Sequence, residues 1–219
     1  MKISVLGDGA WGTVMALLLN GNGHSLSLWG YFSENIREIR KTGENGKFLP
    51  GVKIPQQIKL CEDLSEALTD SELVVLAVPS QFSRGILKTI GTAKLAGKII
   101  VNLAKGIENE SLKRMSEVFF DEIGESPKYC VLSGPSHAEE VAVGQPTAVV
   151  VASKSNSSSE IVQKTFMNKN LRVYTSKDMI GVELGGALKN IFAIAAGISD
   201  GMKLGDNPKA ALLTRGIAE

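Results

Sequence analysis

Short apolar runs alternate with segments of mixed polar and apolar residues along most of the chain. The runs are rich in Val, Ile and Leu and have the length of strands. They predict strands at residues 3–6, 25–29, 58–60, 73–78, 98–102, 128–132, 147–152 and 171–175. Helices are predicted between them at residues 14–19, 33–41, from 63 onward, 81–90, 110–122 and 160–166. Strands that alternate with helices build a doubly wound, mainly parallel sheet covered on both faces, so we expect an α/β fold.

Turn and capping residues set the expected ends of several helices. Ser33 is placed to cap the second helix, and Asp63 with Glu66 has the spacing of a capping box. The serine-rich residues 153–159 are expected to form a loop that ends in the N-cap of a helix. Residues 42–55 contain several Gly and Pro residues and predict a surface loop.

The alternation ceases after Lys177. Residues 179–202 are rich in Ala, Leu, Ile and Gly and predict a long, mostly buried helix. A break at residues 204–208 precedes a further helix at 209–219, which has no stop signal. We therefore expect a first domain at 1–177 and the first, incomplete part of a helical domain at 178–219, because so few residues bury too little surface to be stable alone.

A glycine-rich turn links the first predicted strand to the first predicted helix. Gly7 allows a tight turn, Gly9 lets the backbone approach a pyrophosphate, and Gly12 lets the helix pack closely on the strand. The unpaired N–H groups and the positive end of the helix then face the phosphates. Strand, glycines and helix together form a dinucleotide-binding fingerprint. This context favours a Rossmann-type fold over a plain structural turn.

Charge and cysteine content exclude several classes of function. The net charge is +1 and no basic run is present, which argues against a nucleic-acid partner. Cys61 and Cys130 lack metal-ligand spacing, so no metal is expected, and two thiols suit a reducing cytoplasm, although one disulfide stays open. No signal peptide precedes the first strand, and the apolar stretches are interrupted before they reach the length of a membrane span.

Two segments that follow predicted strands carry candidate chemistry. Lys105 follows the strand at 98–102, where ligands bind beyond the carboxyl ends of an open α/β sheet. Gly134 and Ser136 follow the strand at 128–132, where small residues expose N–H groups and hydroxyls to a ligand. The alternatives are a solvated loop lysine and a Gly-Pro turn capped by Ser136.

Lys189 lies in a predicted helix whose neighbours are small or apolar. A lysine in that setting snorkels, pairs or has a lowered pKa, and with a lowered pKa it can exchange a proton with a substrate oxygen. Asn190 and Glu183 are placed to contribute hydrogen bonds. His24 is expected in an exposed turn. His137 lines a pocket or has no role, because no spacing supports a hydrolytic triad.

Five segments together resemble the bacterial-type NAD(P)-dependent sn-glycerol-3-phosphate dehydrogenases. They follow the order of the family along the whole chain, and the helical residues at 178–219 then correspond to the first part of its substrate-binding domain. The matching segments are residues 7–13, 104–108, 132–140, 182–190 and 210–216.

The resemblance implies reversible hydride transfer between NAD or NADP and carbon 2 of dihydroxyacetone phosphate or sn-glycerol 3-phosphate, feeding glycerophospholipid synthesis. It implies that Lys189 donates and accepts the proton and that Lys105 polarises or orients the substrate. The implied substrate contacts are Lys105, Gly134, Ser136, Lys189 and Asn190. The implied cofactor contacts are Gly7, Gly9, Ala10, Trp11, Gly12, Tyr31, Lys105 and Ala138.

The coenzyme, the substrate and the assembly stay open in part. The predicted second strand is followed by Gly30, Tyr31 and Phe32, with neither an acid for a ribose 2′-hydroxyl nor an Arg for a 2′-phosphate. The alternatives to this activity are a related reductase of another small keto or hydroxy acid, and a dinucleotide-binding module without catalysis. A homodimer is compatible with the sequence.

Overall fold

A single sheet of eight strands forms the centre of the computed structural model, which describes residues 1–125 and 128–218. The strands are β1 Lys2–Leu6, β2 Ser25–Trp29, β3 Lys59–Cys61, β4 Leu73–Leu76, β5 Ile99–Asn102, β6 Tyr129–Ser133, β7 Thr147–Ser153 and β8 Leu171–Ser176. All eight match predicted strands to within a few residues.

Helices follow most strands in this part of the chain. They are α1 Ala10–Gly21, α2 Ser33–Thr42, α3 Leu64–Leu68, α4 Ser80–Ile90, α5 Thr92–Leu95, α6 Met115–Ile123, α7 Ala138–Ala142, α8 Asn156–Phe166, α9 Met179–Gly201 and α10 Asp206–Ala218. The short α5 and α7 were not predicted, because four or five residues show no helical period.

The strand order is β3-β2-β1-β4-β5-β6-β7-β8. Every neighbouring pair is parallel except β6 and β7, which are antiparallel. The predicted doubly wound, mainly parallel sheet is therefore confirmed. The direction of winding reverses between β1 and β4, and in open α/β sheets such a point leaves a crevice at the carboxyl ends of the strands.

Two apolar cores lie on opposite faces of the sheet. Along β4, Leu73 and Val75 belong to the core beneath α1 and α8, whereas Val74 and Leu76 belong to the core beneath α4 and α6. This is why the strand reads as an unbroken apolar run: both of its faces are buried. Each such side chain stabilises the fold by about 1.5–3 kcal/mol relative to leaving it exposed.

The N-caps of three helices can be compared with the predicted ones. Asp63 caps α3 as predicted, since its Oδ1 accepts a hydrogen bond of 2.7 Å from the Glu66 N–H. The prediction for Ser33 is wrong: Ser33 is already helical, and Phe32 is the N-cap without a side-chain bond. Ser155 caps α8, so this helix begins four residues before the predicted 160.

The segment before α6 departs from the predicted helix at 110–122. The backbone turns at Glu108–Leu112, and Ile107 bridges Arg114. The N–H of Leu112 bonds to the carbonyl of Glu108, and α6 begins only at Met115. The predicted helix therefore begins five residues too early, because the residues before Met115 form a turn that ends the loop after β5.

Helix α9 is much more exposed than predicted. Only Met179, Glu183 and Ser199 of its residues are buried. Ile191, Ile194 and Ile198 follow one another at helical spacing and are each more than half exposed. The expectation of a mostly buried helix is therefore wrong for these residues, because an apolar composition does not specify what packs against it.

By length and composition alone, α9 is also apolar enough to cross a membrane. Its 23 residues agree with the long helix predicted at 179–202, but the expectation that every apolar stretch ends before the length of a membrane span is not met by this helix. One such helix is weak support for a membrane span, because core helices of soluble proteins pass the same test. Helix α10 begins at Asp206, with Pro208 in its first turn, where proline is tolerated. Its predicted end at Glu219 lies outside the described residues.

An ion-pair network fixes the loop after β5. Arg84 on α4 donates hydrogen bonds of 2.7–3.1 Å to both carboxylate oxygens of Glu108. It also contacts Asp121 and Glu122 on α6. The bonds from Arg84, and then that from Ser111, lower the pKa of Glu108 to about 2. The network therefore ties two helices to the loop that begins with Lys105.

The depressed pKa of Glu108 gives stability a defined pH dependence. Because the ordinary value is 4.5 and the folded value about 2, the contribution is complete above pH 4.5 and is lost as pH falls toward 2. Glu108→Gln should reduce the loss of unfolding free energy across this interval, measured by urea denaturation. Glu125→Gln, which removes an exposed carboxylate, is the matched control. If the unfolding free energy of Glu108→Gln fell with pH as steeply as that of the wild type, this role would be contradicted.

Candidate active site

The glycine turn between β1 and α1 packs directly on the backbone beyond β4. Gly7 has a φ of +122°, and a Cβ at this position would lie 2.6 Å from the carbonyl oxygen of Ala77. A Cβ on Gly12 would overlap the carbonyl oxygen of Gly7. Gly12 thus has the close-packing geometry that the fingerprint requires, and neither position accepts a side chain without displacing backbone.

Gly9 differs from Gly7 and Gly12 because open space surrounds it. A Cβ on Gly9 would meet nothing within 4 Å. Gly9 is the N-cap of α1, yet no side chain caps the helix and its first turn holds no acidic residue. The first N–H groups of α1 therefore face an open cradle, and such a helix start attracts anions. These residues fit a dinucleotide pyrophosphate.

A buried asparagine from a distant loop holds the glycine turn in place. Asn45 is fully buried, and its amide donates hydrogen bonds to the Asp8 carbonyl at 2.7 Å and to Thr13 Oγ1 at 2.8 Å. Asn45 was not predicted as a site residue, because it lies in the Gly- and Pro-rich stretch predicted as a surface loop. A polar residue between Gly43 and Gly46 gave no signal of burial.

The aromatic residues proposed for the cofactor occupy different surroundings. Trp11 packs partly buried against the core beneath α1, and its indole N–H is buried without a partner in residues 1–125 and 128–218. Tyr31 is 68% exposed and lies edge-on to the rings of Trp29 and Phe32. Tyr31 therefore presents a free aromatic face beyond β2.

Lys105 joins the loops that follow β5 and β6. Its Nζ donates hydrogen bonds to the Gly134 carbonyl at 3.0 Å and to Ser136 Oγ at 3.1 Å. Burial, and secondly the charge of Lys189, lower the pKa of Lys105. Ser136 does not cap a helix, since the N-cap of α7 is His137. The alternative of a solvated lysine is wrong, because Lys105 is half-buried. The alternative of a Gly-Pro turn capped by Ser136 agrees with the structure, because the Ser136 hydroxyl donates a hydrogen bond of 3.1 Å to the Gly134 carbonyl.

Helix α9 approaches this pair through a glycine. A Cβ on Gly186 would lie 2.7 Å from Ser133 Oγ and 3.6 Å from Lys105 Cγ. Glu183, one turn earlier, is buried and accepts hydrogen bonds of 2.7 Å from Arg114 and from both the N–H and the hydroxyl of Ser116. Glu183 therefore anchors α9 to α6, and the expected hydrogen bond toward Lys189 is not formed. Ser133 and Gly186 lie within the matching segments 132–140 and 182–190, but neither was predicted as a site residue.

Lys189 lies one turn beyond Gly186 and is exposed. Its Nζ donates a hydrogen bond of 2.8 Å to the side chain of Asn190, which agrees with the expected contribution of that residue. A cavity of about 320 Å³ lies between α9 and the loop after β6, and Lys189 and Gly134 both line it. Lys189 thus lines the cavity as an exposed lysine, whereas the half-buried Lys105 is linked to it through its hydrogen bond to the Gly134 carbonyl.

Ala138, His137 and His24 are the remaining residues that were considered from the sequence. Ala138 begins α7 and packs partly buried against the core beneath α1. His137 is exposed and lies 3.0 Å from Glu139, so it pairs on the surface. His24 is partly buried beside Met1, away from the other site residues. Within residues 1–125 and 128–218, no group of three His, Cys, Asp or Glu side chains could hold a metal ion.

The electrostatic effect of Lys189 on Lys105 leads to a prediction about protonation. Because the charge of Lys189 lowers the pKa of Lys105, Lys189→Met should raise that pKa while the effect of burial persists. The measurement is the pH dependence of Lys105 acetylation, followed by peptide mass spectrometry. Lys164→Met, which changes an exposed residue of α8, is the control. A midpoint for Lys105 that stays constant or falls in Lys189→Met would contradict the coupling.

Two family models match the chain. The N-terminal model of NAD-dependent glycerol-3-phosphate dehydrogenase covers residues 2–159, and the C-terminal model covers residues 178–219. A glycerol-3-phosphate dehydrogenase (NAD(P)+) from Thermoanaerobacter sp. is 53% identical over the whole chain, and one from Fusobacterium nucleatum is 47% identical. The chain spans 66% of the length of each of these relatives.

Solved structures agree with these sequence matches. A crystal structure of glycerol-3-phosphate dehydrogenase from Coxiella burnetii has a TM-score of 0.90 at 39% identity, covering 99% of this chain and 66% of its own. The Plasmodium falciparum enzyme also has a TM-score of 0.90, at 28% identity, covering 100% of this chain and 64% of its own. The resemblance inferred from the five sequence segments is confirmed, and the chain belongs to the NAD-dependent glycerol-3-phosphate dehydrogenase family.

Proposed function

We propose that the natural protein containing this chain is an oxidoreductase that interconverts dihydroxyacetone phosphate and sn-glycerol 3-phosphate with NAD(P)H. The observation that carries this proposal is that Lys105, fixed by the loop after β6, lies near enough to Lys189 on α9 for the charge of Lys189 to lower its pKa, at the same carboxyl edge of the sheet as the open glycine turn. A binding module without catalysis needs no such pair. The names of the relatives favour this substrate over another keto or hydroxy acid. The product is a precursor suited to glycerophospholipid synthesis.

The N-terminal part would hold the coenzyme. The open space over Gly9 and the uncapped start of α1 fit the pyrophosphate, with Gly7, Ala10, Trp11 and Gly12 forming the turn. When bound, the nicotinamide supplies the hydride that reduces carbon 2 of the substrate or accepts it in the reverse direction. Further proposed coenzyme contacts are Tyr31, Lys105 and Ala138.

Lys105 and Lys189 would have different roles toward the substrate. Lys105, half-buried and fixed by Gly134 and Ser136, orients the substrate and polarises its carbonyl oxygen. Lys189, exposed beside the cavity, gives the proton to that oxygen during reduction and takes it back during oxidation. Asn190 holds the Lys189 ammonium group by its side-chain oxygen. Gly134 and Ser136 contact the substrate from the loop after β6.

The chain would divide into a coenzyme-binding domain at 1–177 and the first part of a substrate-binding domain at 178–219. Support comes from the separate family models, one of which begins at residue 178. The exposed isoleucines of α9 would then pack against other helices of that domain. Lys189 and Asp200 on the same helix favour this packing over a lipid surface, because buried charges in lipid are costly.

Localisation in the cytoplasm is supported by the state of the cysteines. Cys61 and Cys130 are both buried and free, and burial raises the pKa of Cys130 to about 11. Thiols in this state stay reduced and unreactive, as is usual in a reducing compartment. A homodimer stays a prediction for the natural protein.

Gly9→Val tests the coenzyme site. Nothing lies within 4 Å of the added Cβ, so the variant should fold, but the branched side chain fills the space that a pyrophosphate needs. Affinity for NADH, measured by calorimetry, should fall at least about tenfold, or 1.4 kcal/mol. Gly21→Val, at the other end of α1 and also in open space, is the control. Unchanged binding in folded Gly9→Val would remove the assignment.

Lys189→Met tests the proton transfer. In the natural protein, turnover of dihydroxyacetone phosphate should fall at least ~10²-fold, the scale of general acid–base catalysis, while NADH binding is retained. Lys164→Met should keep both properties. Turnover within a few-fold of the wild type would show that Lys189 has only the role of a surface residue.

A further inference from the structure

The end of β2 lacks the charged side chain that usually binds the adenosine ribose of a dinucleotide. In dinucleotide-binding folds of this type, an Asp or Glu about 20 residues after the glycine turn binds the ribose 2′-hydroxyl, or a nearby Arg accepts a 2′-phosphate. Here β2 ends at Trp29 and is followed by Gly30, Tyr31 and Phe32. None of these side chains supplies either charge.

The glycine turn itself supplies a carboxylate at that place. The Asp8 side chain lies against Gly30, and a Cβ on Gly30 would overlap its carboxyl group. Asp8 is 7% exposed, and its Oδ2 accepts a hydrogen bond of 2.6 Å from the Asn35 amide. The Asp8 backbone is held by Asn45 at 2.7 Å. The absence of a side chain on Gly30 is what makes room for this carboxylate.

The charge of Asp8 is not matched by a cation. Among residues 1–125 and 128–218, Asp8 forms no ion pair. A lysine near the end of β2, Lys47, lies over the rings of Phe32 at 5.5 Å and Phe48 at 4.9 Å. Lys47 therefore contacts aromatic rings, while the buried carboxylate of Asp8 remains beside Gly30.

We propose that Asp8 selects NAD over NADP as the coenzyme. This inference rests on the proposed function and assigns its coenzyme. A carboxylate accepts hydrogen bonds from ribose hydroxyls, whereas it repels the two negative charges of a 2′-phosphate, and burial of the carboxylate strengthens the repulsion. Gly30 and Asn35 act with Asp8, the first by leaving space and the second by fixing the carboxylate.

Titrations of the protein with NADH and with NADPH, followed by nicotinamide fluorescence, test this selection. The wild type should bind NADH at least about tenfold more tightly than NADPH. Asp8→Asn keeps the size and the acceptor toward Asn35 but removes the charge. It should reduce the ratio of the two affinities about tenfold, mainly because NADPH binds more tightly. Circular dichroism verifies that the variant is folded.

Two further variants make the result decisive. Gly30→Ala leaves every charge in place but pushes on the Asp8 carboxylate, so it should also reduce the preference for NADH. Asp70→Asn, whose residue pairs with Lys2 at the opposite edge of the sheet, should leave the preference unchanged. Equal or tighter binding of NADPH by the wild type, or an unchanged ratio in Asp8→Asn, overturns the role of Asp8. Binding of neither dinucleotide would instead contradict the proposed coenzyme site itself.

Discussion

Contact between backbone segments at the carboxyl edge of the sheet is the constraint on which the site depends. Gly7 rests on the Ala77 carbonyl, Gly12 on the Gly7 carbonyl, and Gly134 on the backbone of β7. Any Cβ at these positions would force the segments apart. The edge is therefore narrow, and loops that are distant in sequence present their N–H groups, carbonyls and lysines within one small region.

Helix α9 enters the same region through a second close contact and an anchor. Gly186 lets the helix approach Ser133 and Lys105, while Glu183 fixes its first turns to Arg114. The approach has an electrostatic consequence, since it contributes to the lowered pKa of Lys105. The two lysines therefore differ in surroundings, since Lys105 is half-buried and Lys189 is exposed.

The sequence predicted the parts of this arrangement that local patterns encode. Apolar runs such as β4 identified the strands, because both faces of that strand are buried. The glycine turn and Lys105 were also predicted from local sequence, because each directly follows an apolar run that is recognisable as a strand. Asn45 and the exposure of α9 were not predicted, since burial of the first and exposure of the second depend on contacts between segments far apart in the chain.

The central claim is that coenzyme binds at the carboxyl edge of the sheet, between the glycine turn and the loops after β5 and β6. Amide hydrogen exchange with and without NADH, followed by mass spectrometry, tests it most directly. The account predicts slower exchange in peptides that cover residues 7–13, 104–108 and 133–138. Protection confined to the opposite edge, near Lys2 and Glu72, or no protection at saturating NADH, would contradict it.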